Sequence, residues 1–306
     1  DVYVLTYRYV QSGGRPSRPP VGVKSGRPYI LPAFEKYYHL RQTGPNGYTA
    51  DTCGRPDRLF RNNGNGTFTD ISTEAGITES GHGFSATWWD YNGDGLLDLY
   101  VGNDFTDPDH LYHNNGNGSF TDVIAEVMPY TTWSSMGADC ADINNDGLLD
   151  LFAGNFAHRD SRGNQPQSRF LKNLGSDKGY TFEDRGTSGV FYQESYASPT
   201  VGDFDNDGNL DLFFTTVYGT ASFGKKNNAV LYKNQTNFKF SDVTADNNLE
   251  NLPPTYQAAW ADYDRDGDLD LITANKLYQN QLENRDWLKV LVHGNGTDLN
   301  RSAVST

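Results

Sequence analysis

Asp90-Tyr-Asn-Gly-Asp-Gly-Leu-Leu-Asp98 is one of four copies of a single nine-residue pattern. The others are Asp142-Ile-Asn-Asn-Asp-Gly-Leu-Leu-Asp150, Asp203-Phe-Asp-Asn-Asp-Gly-Asn-Leu-Asp211 and Asp262-Tyr-Asp-Arg-Asp-Gly-Asp-Leu-Asp270. Each copy carries side-chain oxygens at positions 1, 3 and 5, glycine at 6 and aspartate at 9. The candidate ligands in the first copy are Asp90, Asn92, Asp94 and Asp98, with the carbonyl of Leu96 at position 7. The second copy offers Asp142, Asn144, Asp146, Leu148 and Asp150, and the third Asp203, Asp205, Asp207, Asn209 and Asp211. The fourth offers Asp262, Asp264, Asp266, Asp268 and Asp270. Ca²⁺ takes six to eight oxygens at about 2.3–2.6 Å from a chain that a glycine lets wrap around it. Asp, Asn and Gly also make plain polar turns, but four copies in one register favour the ion, about four Ca²⁺ per chain.

The spacing of oxygens around the glycine is shared with the EF-hand, which also needs an acid at position 12 and a helix on each side. Here position 12 is Val101, Ala153, Phe214 or Thr273. The residues after each loop, such as Asp98-Leu-Tyr-Val and Asp211-Leu-Phe-Phe, are short apolar runs beside turn signals, which read as buried strands. The pattern therefore predicts a calcium loop inside a β-hairpin.

Working outward, the loops start 52, 61 and 59 residues apart. Between them a second landmark recurs: Leu59-Phe-Arg-Asn62, Leu111-Tyr-His-Asn114, Phe170-Leu-Lys-Asn173, Leu231-Tyr-Lys-Asn234 and Leu277-Tyr-Gln-Asn280. It usually leads into a Gly/Asn turn and one more strand. One period holds four strands, roughly Phe84–Trp89, Leu99–Gly102, His110–His113 and Ser119–Val123 in the second unit. A repeated four-stranded unit of about 50 residues is the mark of a β-propeller blade, which must pack on neighbours to bury its faces. The strand before each loop is rich in small residues (Ser85-Ala86-Thr87, Gly137-Ala138, Val201-Gly202, Ala258-Ala259), as an innermost strand beside a crowded channel requires. The abundant aromatic residues are expected between blades.

The loop and landmark together resemble the FG-GAP or VCBS repeat, the calcium-loop blade of integrin α-subunits, over residues 1 to about 285. The resemblance implies an all-β propeller of four-stranded antiparallel blades. About five are visible: 1–75 with an insertion at 11–57, 82–125, 133–186, 197–244 and 256–292. The tail at 293–306, after Asn284-Arg-Asp-Trp-Leu-Lys-Val-Leu-Val292, resembles the start of an ASPIC/UnbV segment, which commonly follows such repeats in secreted proteins.

Asp1-Val-Tyr-Val aligns with Asp98-Leu-Tyr-Val, so Asp1 is the ninth position of a loop and the first blade lacks its innermost strand. Three origins are open: a fragment of a larger secreted protein, closure by Arg301–Thr306, or a strand donated by a second copy, which without ring closure gives a filament. Residues 11–57 depart from the repeat. Their Pro-, Gly- and Ser-rich start carries a basic cluster of Arg15, Arg18, Lys24 and Arg27, and reads as either a solvated loop or an intermolecular arm.

The formal charge is −14, which four Ca²⁺ would bring to about −6. This acidic balance argues against nucleic acid as a partner, and no apolar run is long enough for a transmembrane segment. Cys53 and Cys140 could form one disulfide, which with the calcium loops points to an extracellular or cell-surface setting. Glycosylation sequons occur at Asn65, Asn117, Asn234, Asn295 and Asn300. No zinc spacing, nucleophile elbow or phosphate loop is present. The expectation is a non-enzymatic extracellular calcium-binding scaffold for adhesion or self-assembly, whose partners are copies of itself or extracellular protein and glycan surfaces. The alternative is a lectin-like propeller with Trp133, Tyr192 and Tyr218 as candidate sugar platforms.

Overall fold

A strand with one apolar face can leave its other face in water, but the second strand of each repeat carries consecutive apolar residues after its aspartate, so both of its faces call for cover. The computed structural model meets that demand with five sheets in sequence order. It describes residues 1–282, apart from 46, 105–106, 133, 157–166 and 222–223. Three sheets are four-stranded and antiparallel, and each is ordered strictly along the chain. Blade 2 comprises Gly83–Trp89, Asp98–Asn103, His110–Asn114 and Phe120–Asp122, each end within one residue of its sequence-based position. Blade 3 comprises Gly137–Ala141, Asp150–Gly154, Arg169–Asn173 and Phe182–Asp184. Blade 4 comprises Tyr196–Gly202, Asp211–Thr216, Val230–Asn234 and Phe240–Asp242. Blade 5 shows Ala258–Ala261, Asp270–Thr273 and Lys276–Tyr278 among the described residues. The chain is a β-propeller protein.

Blade 1 has three strands, Val2–Val4, Arg58–Asn62 and Phe68–Asp70, in the order expected for a blade without its innermost strand. Its register is that of blade 2. The Asn62 backbone N–H donates to Asp1 Oδ1 at 2.9 Å, as the Asn114 N–H donates to Asp98 Oδ1 at 2.7 Å. The Tyr3 hydroxyl donates to Asp57 at 2.9 Å, as Tyr100 donates to Asp109 at 2.6 Å.

The core lies between sheets. Because side chains alternate along a strand, Leu99 and Val101 pack toward Leu59 and Ile71 of blade 1, whereas Tyr100 packs with Leu151 and Leu171 of blade 3. Blade 4 repeats the division: Leu212 and Phe214 join Phe152 and Phe170 of blade 3, and Phe213 joins Leu271 of blade 5. Aromatic rings do much of the filling, with Tyr196 stacked on Phe214 at 3.9 Å and Phe170 on Phe240 at 4.6 Å. Each such side chain contributes about 1.5–3 kcal/mol by leaving water, and truncating Phe213 to alanine is expected to cost about 3–5 kcal/mol.

Innermost strands of successive blades lie side by side, and the small residues there are obligatory. A Cβ on Gly137 would stand 2.6 Å from the Ala197 carbonyl oxygen of the next blade. One on Gly202 would meet the Trp260 ring at 2.7 Å.

Three points that the sequence left open are sharpened by the fold. The insertion is folded: Val21–Lys24 pairs with Arg27–Ile30, and Tyr38–Gln42 pairs with Tyr48–Thr52. Ser25 and Gly26, at φ of 50° and 78°, supply the left-handed turn that suits a two-residue hairpin. Its Pro-rich, basic composition hid the alternation on either side of that turn. Cys53 and Cys140 are both free, and burial pushes the Cys140 thiol up to about 12. The Asn234 sequon is buried at 1% exposure because its side chain is needed inside the fold, whereas Asn65 and Asn117 are exposed. The tail at 293–306 and the sequons Asn295 and Asn300 lie outside the described residues.

Candidate metal centres

The loops occupy equivalent places. Asp98 pairs with Trp89, Asp150 with Ala141, Asp211 with Gly202 and Asp270 with Ala261, so each loop joins the first two strands of its blade with eight intervening residues. Their internal hydrogen bonds also repeat. The position-1 carboxylate accepts the N–H of position 5 through one oxygen and that of the glycine through the other. For Asp90 these lengths are 3.1 and 2.9 Å, for Asp142 2.9 and 2.8 Å, and for Asp203 3.0 and 2.9 Å. For Asp262 they are 3.0 and 3.2 Å. The position-5 carboxylate accepts the N–H of position 7 at 2.8–3.3 Å.

Two backbone conformations shape the wrap. The glycine at position 6 has φ of 84°, 84°, 84° and 96° along the four copies. Position 4 is also left-handed, at Gly93, Asn145, Asn206 and Arg265, with φ between 55° and 69°. Glycine and asparagine enter this region cheaply, a signal the sequence carried and the repeat pattern left unread. Asn145 and Asn206 do more. Each donates its amide to the glycine carbonyl of the next loop, Gly208 at 3.0 Å and Gly267 at 3.2 Å.

Position 9 is fully buried in all four copies. One oxygen accepts the N–H of position 2, as Tyr91 to Asp98 at 3.3 Å and Tyr263 to Asp270 at 3.1 Å. The other accepts the N–H of the landmark asparagine, as Asn173 to Asp150 at 2.9 Å and Asn234 to Asp211 at 2.8 Å. Burial outweighs these bonds and pushes Asp98 up to about 6 and Asp150 and Asp211 to about 7. A cation beside such a carboxylate favours its ionised form.

The landmark asparagine is a functional residue that sequence reasoning noticed but did not explain. Its amide group donates to the position-8 carbonyl of its own loop and to the position-2 carbonyl of the preceding blade's loop. Asn173 reaches Tyr91 at 2.7 Å, Asn234 reaches Ile143 at 2.9 Å and Asn280 reaches Phe204 at 2.6 Å. Every loop after the first is thereby latched to the one before it.

The residue before that asparagine points back at the loop. Lys172 donates to Asp146 at 2.7 Å, and Lys233 bonds Asp205 and, at 2.9 Å, Asp207. Asp146 and Asp207 are partly desolvated, which would raise them, but the lysine bonds hold both below the usual carboxylate range. In blade 5 the equivalent is neutral: Gln279 donates to Asp264 at 2.6 Å.

Carboxylates converge within 4.8 Å of one another at Asp203, Asp205 and Asp211, at Asp262, Asp264 and Asp270, and at Asp264, Asp266 and Asp268. Asp268, expected to offer only its carbonyl, thus also contributes a side chain. Asp205 Oδ1 and Asp268 Oδ1 are buried and lack a hydrogen-bond partner. An orphaned carboxylate oxygen is costly without a donor or a cation, so the donor set suits a hard ion. Of the candidate sugar platforms, Tyr192 is half-buried, Tyr218 is 52% exposed, and Trp133 lies outside the described residues.

No described helix is long and apolar enough to cross a membrane. The family model for the FG-GAP-like repeat matches residues 48–101 and 90–153. Cartilage acidic protein 1 of Mus musculus is 32% identical over 177 residues, 54% of this chain and 26% of that protein. Its Homo sapiens counterpart is 32% identical over 179 residues, 54% of this chain and 25% of that protein. The match thus spans about a quarter of these relatives' length. Among solved structures, an Agrocybe aegerita lectin that recognises non-reducing terminal N-acetylglucosamine covers 81% of this chain and 67% of its own, at 18% identity and a TM-score of 0.38. Two units of the chain thus match the FG-GAP-like repeat, and the same loop and landmark are carried through the later blades.

Proposed function

We propose that the chain is a non-enzymatic, extracellular calcium-binding propeller scaffold that presents its blades for adhesion or self-assembly. The observation that carries the calcium reading is the convergence of Asp203, Asp205 and Asp211, and of two overlapping triads among the aspartates at 262–270, with Asp205 Oδ1 and Asp268 Oδ1 lacking a donor. Ca²⁺ would be held by Asp90, Asn92, Asp94, Leu96 and Asp98 in blade 2 and by the matching residues of blades 3 to 5. Bound there, the ion neutralises clustered charge and fixes the hairpin; it is a structural cation in a closed loop. The matched segment of the cartilage acidic proteins supports an extracellular setting, which also suits loops of this type. Calcium titration by isothermal calorimetry is expected to give about four ions per chain, and melting with and without a chelator is expected to show lost stability on removal. An unchanged melting temperature would sink the reading.

A further inference from the structure

The N-terminal segment, insertion included, reverses the charge of the molecule. Residues 1–57 hold eight Lys and Arg against four Asp and Glu, whereas the remainder holds 17 against 35. Part of this positive charge surrounds a cleft of about 230 Å³ lined by Arg8, Tyr9, Gln11, Arg15, Tyr37 and Thr52, among others. Lys36 and Arg55 lie 5.2 and 5.5 Å from the Tyr9 ring. Among the described residues, Arg8, Arg15, Lys36 and Arg55 have no carboxylate within 4 Å, although Arg41, farther along the Tyr38–Gln42 strand, is paired with Asp51.

Two acceptors accompany these cations. Gln11 Oε1 is buried and has no hydrogen-bond partner. Thr52 Oγ1 lies 2.9 Å from His82 Nε2, and His82 Nδ1 lies 2.6 Å from Asp107. In the tautomer whose Nδ1–H bonds the Asp107 carboxylate, Nε2 accepts from the Thr52 hydroxyl, and the Thr52 oxygen keeps its lone pairs for a further donor. The cleft therefore combines unpaired guanidinium groups, aromatic walls, one orphaned acceptor and one oriented hydroxyl oxygen. A simple anion would satisfy only the first.

From this we infer that the cleft binds an acidic saccharide. Arg8 and Arg15 take its carboxylate, the tyrosines its ring faces, and Gln11 and Thr52 its hydroxyl donors. The site stands on residues 8–55 and does not depend on the calcium reading.

The test is isothermal calorimetry of the full chain in millimolar calcium with trigalacturonate and with an alternating glucuronate–N-acetylglucosamine tetrasaccharide. At least one is expected to bind, and the methyl-esterified form of that sugar is expected not to. Replacing both arginines (Arg8→Gln with Arg15→Gln) should weaken binding about 10–100-fold, and Gln11→Leu about tenfold. Gln11→Glu, which keeps the shape and repels the anion, serves if the leucine variant does not fold. Absence of binding by both sugars, equal binding of the neutral ester, or variants that bind like the parent would each overturn the proposal. So would an oligoglutamate peptide that binds as tightly, which would assign the cleft to a protein ligand. Repeating the titration after chelation, with the melting temperature recorded, reports the fate of the loops separately.

Discussion

The loops at 142–150 and 262–270 share a backbone and differ in what balances their charge. The first has three carboxylates, Asp142, Asp146 and Asp150, and receives the ammonium of Lys172. The second has five, adds Asp268 to the usual set, and has the neutral Gln279 amide where the first has the lysine. One loop is partly neutralised by the lysine of its own blade, and at the equivalent place the other has a neutral amide. The repeat fixes the shape of each loop, while the residue before the landmark asparagine sets how much of its charge the blade itself balances.

Chelation gives the largest expected effect. A site held at a hundredfold excess of calcium over its dissociation constant contributes about 2.7 kcal/mol, so removal from several sites should lower the melting temperature markedly in scanning calorimetry. Next, Asp266→Ala should destabilise the calcium-loaded chain more than Asp146→Ala, and each should remove one ion per chain in a calcium-binding assay. Equal losses would break the comparison. The latches come third. Asn173→Ala, at a fully buried position, strands the Tyr91 carbonyl and should cost about 2 kcal/mol, and the half-buried Asn280→Ala about 1 kcal/mol. Denaturant melts would resolve the two. The smallest effect belongs to Lys172→Met, which removes a competing cation from Asp146. It should tighten calcium binding by at most about tenfold and weaken the calcium-free fold slightly. A calcium affinity that does not rise would mean the ammonium is no competitor.

Much of the blade plan was legible because its signals are local. The run Asp98-Leu-Tyr-Val cannot be solvated on either face, and the loop before it fixes the hairpin, so strand ends in blade 2 fell within a residue. Even the alignment of Asp1 with Asp98 survives in the bonds from Asn62 and Asn114. What escaped reading is non-local. The partners of Asn173 and Asn234 lie 82 and 91 residues away, and no spacing within one repeat announces them. The lysines at 172 and 233 belong to a strand, not a loop, and reach the carboxylates only once the blade is folded. The hairpins at 21–30 and 38–52 were missed because prolines and arginines masked a short alternation.

The latch from each asparagine to the preceding loop has a consequence for how such a chain can grow. A unit cut from one aspartate loop to the next landmark asparagine carries both halves of its connector, the carbonyl it offers forward and the amide it extends backward. Duplicating or deleting a whole unit therefore leaves every seam matched, with no new contact to invent. Blade number can change in single steps while the joints stay the same.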